Sequence, residues 1–344
     1  MKAMIGMSGG VDSSVAAYLT RQMGYDCVGA TMQLYVGPET GEEDARSVAQ
    51  RMEMPFYVFD LSREFEEKVM RDFVCCYQQG LTPNPCVTCN RHLKFGSFLE
   101  KAREHGCEKI VTGHYARIAE KNGRLCLQKA VDEGKDQTYF LYAMTQEQLE
   151  HTLFPLGELT KAQARQIAQE NGFVNARKRD SQDICFIPDG DYLTFLQEFT
   201  GETSVAGDFL DENGKVVGRH KGAVGYTLGQ RKGLGLAMGQ PVYVVSKDMA
   251  ANTVTVGPNE ALFHRELVAG DWNWMAFESL TEPIRCSAKA RSRMIEQPAT
   301  VYPMENGLAR VIFDEPQRAI TPGQAVVLYD DDLVIAGGTI QEVV

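Results

Sequence analysis

The stretch Ala3-Met4-Ile5-Gly6-Met7-Ser8-Gly9-Gly10-Val11-Asp12-Ser13-Ser14 joins a short apolar run to a glycine turn. Val15, Tyr18, Leu19 and Met23 then recur at helical spacing until Gly24 closes the pattern. A strand, a loop and a helix in succession are expected. Glycines let the backbone turn tightly and bring its N–H groups close to a ligand. The helix N-terminus adds partial positive charge, and the serine hydroxyls add donors. Together these make a cradle for a pyrophosphate group. The loop lacks the Gly-Lys-Ser/Thr ending of a Walker A sequence and the Gly-x-Gly-x-x-Gly of a dinucleotide fingerprint. The plainer alternative is a glycine turn with an Asp or Ser cap; the strand–loop–helix context favours the cradle.

Downstream the alternation continues. Cys27–Met32 reads as a strand, Ala45, Val48, Ala49 and Met52 as one face of a helix, and Phe56–Phe59 as the next strand. Phe65, Val69, Phe73 and Tyr77 line a third helix with Ser62 as its expected cap, and Lys109–Thr112 is a further buried strand. Strands separated by helices imply a parallel sheet covered on both faces. The pattern changes near residue 116. Ala116–Ala119 and Arg124–Gln128 flank Asn122-Gly123, a hairpin signal. Thr160-Lys161-Ala162-Gln163 is a capping box before the helix of Ala164, Ile167 and Ala168, which Gly172 ends. From about residue 203 the text is strand and turn. Asn213-Gly214 and Asn306-Gly307 are hairpin turns, with Thr300–Tyr302 and Ala309–Phe313 pairing across the second. Ala325–Tyr329 and Val334–Ala336 flank the acidic turn Asp330-Asp331-Asp332. Short strands at this spacing point to a small β domain or barrel at the C-terminus.

A length of 344 residues exceeds one ordinary domain. The expected division is an α/β domain over 1–200, a small central domain over 201–265 and a β-barrel-like domain over 266–344. Apolar residues make up 44% and charged residues 24%, which excludes a disordered chain. There is no run of about 18 apolar residues to span a membrane, and no apolar region of a signal peptide. A cytoplasmic location is expected. Nine cysteines then sit in a reducing compartment and do not form a disulfide framework. The net charge of −11 argues against nucleic-acid binding as a global property. Local basic patches are still available at Arg285, Lys289, Arg291 and Arg293, and at Lys221, Arg231 and Lys232.

Two cysteine contexts differ from the others. Thr82-Pro83-Asn84-Pro85-Cys86-Val87-Thr88-Cys89-Asn90 precedes a helix marked by Leu93, Phe95, Phe98 and Leu99. Two prolines stiffen the approach, and Cys89 falls near a helix N-terminus, a place that lowers a thiol pKa. Arg179-Asp180-Ser181-Gln182-Asp183-Ile184-Cys185-Phe186-Ile187 places Cys185 where a polar run meets an apolar one, at an expected loop–strand junction. A structural zinc site is the competing interpretation of Cys86 and Cys89. Zinc usually takes a second close pair, whereas only His92 lies nearby and Cys185 supplies one more sulfur. Cys27, Cys75, Cys76, Cys107, Cys126 and Cys286 are expected to be buried small hydrophobes.

The glycine loop resembles the PP-loop of the N-type ATP pyrophosphatases, which cleave ATP between the α- and β-phosphates and transfer AMP to a carbonyl oxygen. Asn84-Pro85-x-x-x-Cys89-Asn90, Thr112-Gly113-His114-Tyr115-Ala116-Arg117, Lys135-Asp136-Gln137-Thr138-Tyr139-Phe140-Leu141, Ser181-Gln182-Asp183-Ile184-Cys185-Phe186 and Gly225-Tyr226-Thr227-Leu228-Gly229-Gln230-Arg231-Lys232-Gly233 narrow the choice. In this order, across nearly the whole chain, they resemble the bacterial tRNA-specific 2-thiouridylases. The resemblance implies an α/β fold: a PP-loop (adenine nucleotide alpha hydrolase-like) parallel-sheet domain, a small central tRNA-contacting domain and a C-terminal β-barrel. It implies a tRNA-uridine 2-sulfurtransferase that adenylates the 2-oxygen of the wobble uridine (position 34), releases pyrophosphate, and then delivers sulfur from a cysteine persulfide. Cys185 is implied as the persulfide carrier. Cys89 is implied as the second catalytic thiol, which attacks and can finish in a disulfide with Cys185.

The same resemblance assigns Gly6, Met7, Ser8, Gly9, Gly10, Val11, Asp12, Ser13, Met32 and Gly113 to ATP; the loop carboxylate Asp12 is expected to act through Mg2+ bridging the phosphates. It places Asn84, Pro85 and Cys86 near the target base, and His114, Lys135, Asp136, Gln137, Arg291, Ser292 and Gln324 near tRNA. The implied partners are the tRNAs for lysine, glutamate and glutamine, and a cysteine desulfurase or sulfur-relay protein. Two positions depart from the family. Cys86 stands where many members carry Asp. It creates Cys86-x-x-Cys89, which with Cys185 offers three thiolates to a possible 4Fe–4S cluster. Arg291-Ser292-Arg293 lacks the aromatic residue that commonly follows the first Arg. The rival functions are an ammonia-fed amide ligase, which has no use for Cys89 and Cys185, and a noncatalytic RNA-binding protein that keeps ATP as a structural ligand.

Overall fold

A computed structural model describes residues 1–35, 41–176, 178 and 184–344. The expected polar run Ser181-Gln182-Asp183 lies outside the described residues, as do Arg179 and Asp180. The first sheet contains β1 (Lys2–Gly6), β2 (Asp26–Gln33), β3 (Phe56–Asp60), β4 (Lys109–Val111) and β7 (Thr152–Leu153) in the order β3-β2-β1-β4-β7. All four pairings are parallel. Ala3 and Ile5 face a core with helices Val11–Gln22, Glu42–Arg51 and Lys161–Glu170, while Met4 faces the other core. Alternate residues of one strand thus serve opposite layers, as a doubly covered sheet requires. Helix Val11–Gln22 buries Val15, Ala16 and Ala17, but Met23 follows it as an exposed C-cap residue.

Helical runs on the second face carry π-type turns. Ser62–Phe65, Glu66–Met70 and Arg71–Gln78 form one run; Pro85–Cys89, Asn90–Ser97 and Phe98–Glu104 form another. Ser62 is not the cap. It lies inside the first turn, and Asp60 Oδ1 accepts from its N–H and its hydroxyl at 2.9 and 2.6 Å. Phe65, Phe73, Leu93, Phe186 and Leu196 close a separate core that seats the Cys185 segment.

β5 (Arg117–Lys121) and β6 (Arg124–Gln128) form the expected hairpin, with Asn122 and Gly123 both at positive φ. The hairpin does not extend the parallel sheet. Gln128 pairs with Leu333 and so attaches it to the C-terminal sheet. The middle unit is a four-stranded sheet of β8 (Gly207–Leu210), β9 (Val216–His220), β10 (Tyr243–Asp248) and β11 (Thr253–Gly257) around Phe209, Val244 and Val254. The last unit holds β12 (Phe263–Trp274), β13 (Ile284–Lys289), β14 (Gln297–Pro303), β15 (Ala309–Arg318), β16 (Ala325–Asp330) and β17 (Leu333–Val343). Pairing of β12 with β17 closes these six strands into a barrel, which removes both sheet edges.

The barrel and the parallel sheet share one core. Met4, Phe98, Leu127 and Tyr139 belong to the same buried cluster as Val311, Val327 and Leu328. Inside β17, Gly337 lets the Tyr142 ring pack closely: a Cβ there would lie 2.3 Å from it. The barrel is therefore packed against the domain that carries the glycine loop.

Candidate functional site

Met7 leaves β1 with its N–H on Ala30 O and its carbonyl on Thr31 Oγ1, so β2 holds the strand end in place. Gly9 then turns at φ 72. A Cβ on it would stand 2.2 Å from Gly41 O, which makes glycine obligatory there. Gly10 is the N-cap of helix Val11–Gln22 and offers no capping side chain, so the first N–H groups of the helix are left for a ligand. Ser13 Oγ donates to Gly10 O at 3.0 Å and accepts from Ser8 N at 3.2 Å, which folds the loop over those donors. Buried Asn175 donates from Nδ2 to Gly9 O and Ser14 Oγ at 3.1 and 2.9 Å, anchoring the loop from behind. Gly113, at the end of β4, lies so close that a Cβ would be 2.7 Å from Ser13 N.

A cavity of about 380 Å³ opens on this loop. Gly6, Met7, Ser8, Asp12, Ser13, Met32, Gly113, His114, Gln137, Lys94 and Cys185 are among the residues lining it. Gly9, Gly10 and Val11 stand behind its rim: Gly9 and Gly10 shape the turn, and Val11 is buried in the core. Asp12 is not free at the floor. Lys161 Nζ meets its two carboxylate oxygens at 2.8 and 2.7 Å, and Tyr115 OH donates to Oδ1 at 2.9 Å. The capping box at Thr160 starts the helix that delivers Lys161.

Cys89 is 7% exposed, and burial pushes its thiol up to about 12. This reverses the expectation from its place near a helix start: desolvation of the thiolate outweighs the favourable helix dipole. Cys86 is exposed on the same helix, one α-turn earlier. Cys185 is exposed in a turn, not at a strand junction, because the chain proceeds to helix Tyr192–Thr200. The thiols of Cys89 and Cys185 interact electrostatically, so they share one neighbourhood. Cys27, Cys107 and Cys126 are buried as expected, whereas Cys75 is exposed and Cys76 and Cys286 are half-buried. No group of three His, Cys, Asp or Glu among the described residues is placed to hold a metal ion, and this includes Cys86, Cys89 and Cys185.

The other expected residues divide into three groups. His114 and Gln137 face the cavity. His114 is buried between Phe95 and Phe154 with Nδ1 2.8 Å from Thr112 Oγ1. Burial, with Lys94 nearby, holds it well below the usual range and hence neutral at pH 7. Gln137 Oε1 accepts from Tyr115 N at 2.9 Å. Asp136 and Lys135 belong to a turn: Asp136 accepts from Ala130 N and Thr138 Oγ1 at 3.1 and 2.6 Å, and Lys135 N donates to Asp132 O.

Asn84 and Pro85 start the helix of Cys86 and Cys89, and the barrel grips that start. Gln324 Nε2 donates to Thr82 O and Pro83 O at 3.0 Å each, and Thr82 N donates to Pro322 O. Arg291 and half-buried Ser292 lie away from the cavity. Arg291 Nη2 donates to Leu228 O at 3.0 Å and to Thr321 Oγ1, tying the middle unit to the barrel. The family resemblance places it near tRNA; in the protein alone Nη2 is bonded internally, and buried Nε has no hydrogen-bond partner among the described residues. Sequence reasoning missed Lys94, Lys161, Tyr115 and Asn175. The Lys161–Asp12 pair spans 149 positions and leaves no local signal.

Comparison with known families matches three models in order. Residues 1–189 match the tRNA methyl transferase HUP domain, 193–258 the tRNA methyl transferase PRC-barrel domain, and 264–340 the aminomethyltransferase β-barrel domain. Among curated proteins, the chain is 47% identical over 354 residues to the tRNA-specific 2-thiouridylase of Clostridioides difficile, covering 99% of this chain and 98% of that protein. It is 49% identical over 352 residues to the protein of the same name from Clostridium perfringens, with 99% and 98% covered. The Symbiobacterium thermophilum protein of that name is 47% identical over 361 residues, with 100% and 93% covered. No helix among the described residues is long and apolar enough to cross a membrane.

Proposed function

The chain belongs to the family of tRNA-specific 2-thiouridylases, and on that premise we propose how its cleft performs the reaction. The protein is an enzyme that uses ATP to replace oxygen 2 of a tRNA wobble uridine by sulfur. ATP lies with its phosphates over the uncapped start of helix Val11–Gln22, where the loop N–H groups and Ser8 and Ser13 receive them. Asp12 is the loop carboxylate that magnesium would meet once Lys161 turns to the phosphates.

The uridine 2-oxygen is a poor leaving group. Its lone pair attacks the α-phosphorus, the bond to the bridging oxygen breaks, and pyrophosphate departs as N3 gives its proton to solvent. AMP is now a competent leaving group on C2. The terminal sulfur of a Cys185 persulfide attacks C2 and AMP leaves with the bonding pair. Cys89 thiolate then attacks Cys185 Sγ, and the electrons of the broken S–S bond pass to the base sulfur. The products are 2-thiouridine, with N3 reprotonated from solvent, and a Cys89–Cys185 disulfide, which a dithiol reductant reopens. Asn84, Pro85 and Cys86 border the entry of the base, and neutral His114 is a hydrogen-bonding wall. The sulfur donor is a cysteine desulfurase or a relay protein, the substrates are the tRNAs for lysine, glutamate and glutamine, and the location is the cytoplasm. We keep domain boundaries near residues 200 and 265.

The observation that supports this reading most is that the phosphate loop and Cys185 line one cavity. An ammonia-fed ligase would leave the thiols without a task. The test is nucleoside analysis after incubation with tRNA, ATP and a persulfide donor. The expected product is 2-thiouridine at the wobble position, dependent on ATP. A methylated uridine formed with a methyl donor and no ATP would refute the reading.

A further inference from the structure

The helical run that carries Cys89 changes its winding immediately after it: Pro85–Cys89 is α, Asn90–Ser97 is π. Lys94 lies five residues beyond Cys89. In an α-helix five residues end about 140° past a full turn, on a different face. In a π-turn the hydrogen bonds link residues five apart and stack them one above the other. The π-turn therefore brings Lys94 round to the face of Cys89. Two independent observations agree. Lys94 lines the cavity together with Ser8, Ser13 and Cys185. Its charge also acts on Cys86, Cys89, Cys185 and His114.

Among the described residues, Lys94 is the one cationic side chain lining this cavity. It is half-buried and makes no hydrogen bond or ion pair with a described residue. An ordinary solvated lysine would point away from the cleft, and exposed Arg91 on the same helical run pairs with Asp271 at 2.8 Å instead. A half-buried ammonium without a carboxylate, on the wall of a phosphate cavity, is a place for an anion.

We propose that Lys94 is a catalytic residue of both half-reactions, a fixed positive charge that faces the transferred phosphoryl group and then the departing AMP. This rests on the adenylation–thiolation reading. Lys94 forms no bond in either step and acts through its charge. In the first step the uridine oxygen bonds to the α-phosphorus and pyrophosphate leaves, and Lys94 offsets the charge spreading over the phosphoryl oxygens. In the second, C2 bonds to sulfur and AMP takes the electron pair of the broken C–O bond, beside the same ammonium. The π-turn is what lets one side chain serve the phosphate wall and the thiol wall.

The test uses the full-length enzyme with Lys94→Met, Lys94→Gln and Lys94→Arg. Both neutral variants are expected to lose about 100-fold in kcat for tRNA-dependent pyrophosphate release, the scale of removing one charge-stabilising donor. KM for tRNA should not move, and Lys94→Arg should recover at least part of the rate. A structural role would lower melting temperature and affect all three variants alike. Full kcat in a folded neutral variant, or no recovery by arginine with the fold intact, overturns the assignment. Wild-type enzyme that releases no pyrophosphate in the same assay would sink the adenylation reading itself, so the two failures are distinct.

Discussion

Cys89 lies close to a helix start, where the dipole favours a thiolate, yet burial raises its thiol to about 12. Thiolate is the reactive form, so a raised value means less of it at neutral pH. In the resting enzyme, iodoacetamide is expected to label exposed Cys86 and Cys185 well before Cys89. Labelling of Cys89 should keep rising with pH beyond 9, and a plateau near neutral pH would contradict its burial. Asp12 shows the same competition between local signal and distant partner. Its place in the loop was legible from Ser8–Ser14. Its pairing with Lys161 was not, because chain periodicity carries no information about a partner far along the sequence. Asp12→Ala should abolish pyrophosphate release and also cost roughly 2 kcal/mol of stability, since it removes the carboxylate paired with Lys161, whose side chain is 11% exposed. Urea unfolding checks the second part. The exposed fraction of Asp12, 30%, keeps the loss below that of a fully buried pair.

At the scale of elements, parallel strands, the three Asn-Gly turns and the capping box at Thr160 were readable because each has a local cause. The winding of Asn90–Ser97 was not, because Leu93, Phe95, Phe98 and Leu99 fit an ordinary helix about as well. Docking of the β5–β6 hairpin on the barrel was equally hidden, since it depends on distant partners such as Leu333 opposite Gln128 and Met275 O, which accepts from Arg124 Nε at 2.8 Å. The grip of the barrel on the start of the cysteine helix is another such long-range feature. Gly323 has φ 89, and a Cβ there would lie 2.9 Å from both Thr82 N and Thr82 O. Gly323→Ala should cost about 1–3 kcal/mol by strain and displacement. It should lower thiolation while ATP binding is retained, because it moves Asn84 and Cys86 and not the glycine loop. Equal stability and rate in the variant, measured by urea unfolding and nucleoside analysis, would show that the grip does not position the helix.

For the whole molecule, a net charge of −11 means that tRNA affinity comes from patches, not from overall charge. Arg291 ties units together, and Arg285 pairs with Asp314. Arg231, Lys232 and Arg293 remain exposed. Replacing Arg231 and Lys232 by Ala should flatten the salt dependence of tRNA binding by about 0.7–0.9 in slope for each phosphate that is no longer neutralised. Arg291→Ala should leave the slope unchanged and reduce stability instead; the reverse pattern would return Arg291 to the phosphate surface.

On the proposed function, one cleft runs adenylation and sulfur transfer as separable steps. The most direct test of this reading is Cys185→Ser in a single turnover with ATP, tRNA and a persulfide donor, with pyrophosphate and 2-thiouridine measured together. Pyrophosphate should appear at close to the wild-type rate while no 2-thiouridine forms. Loss of pyrophosphate release in the folded variant, or continued formation of 2-thiouridine, would contradict it.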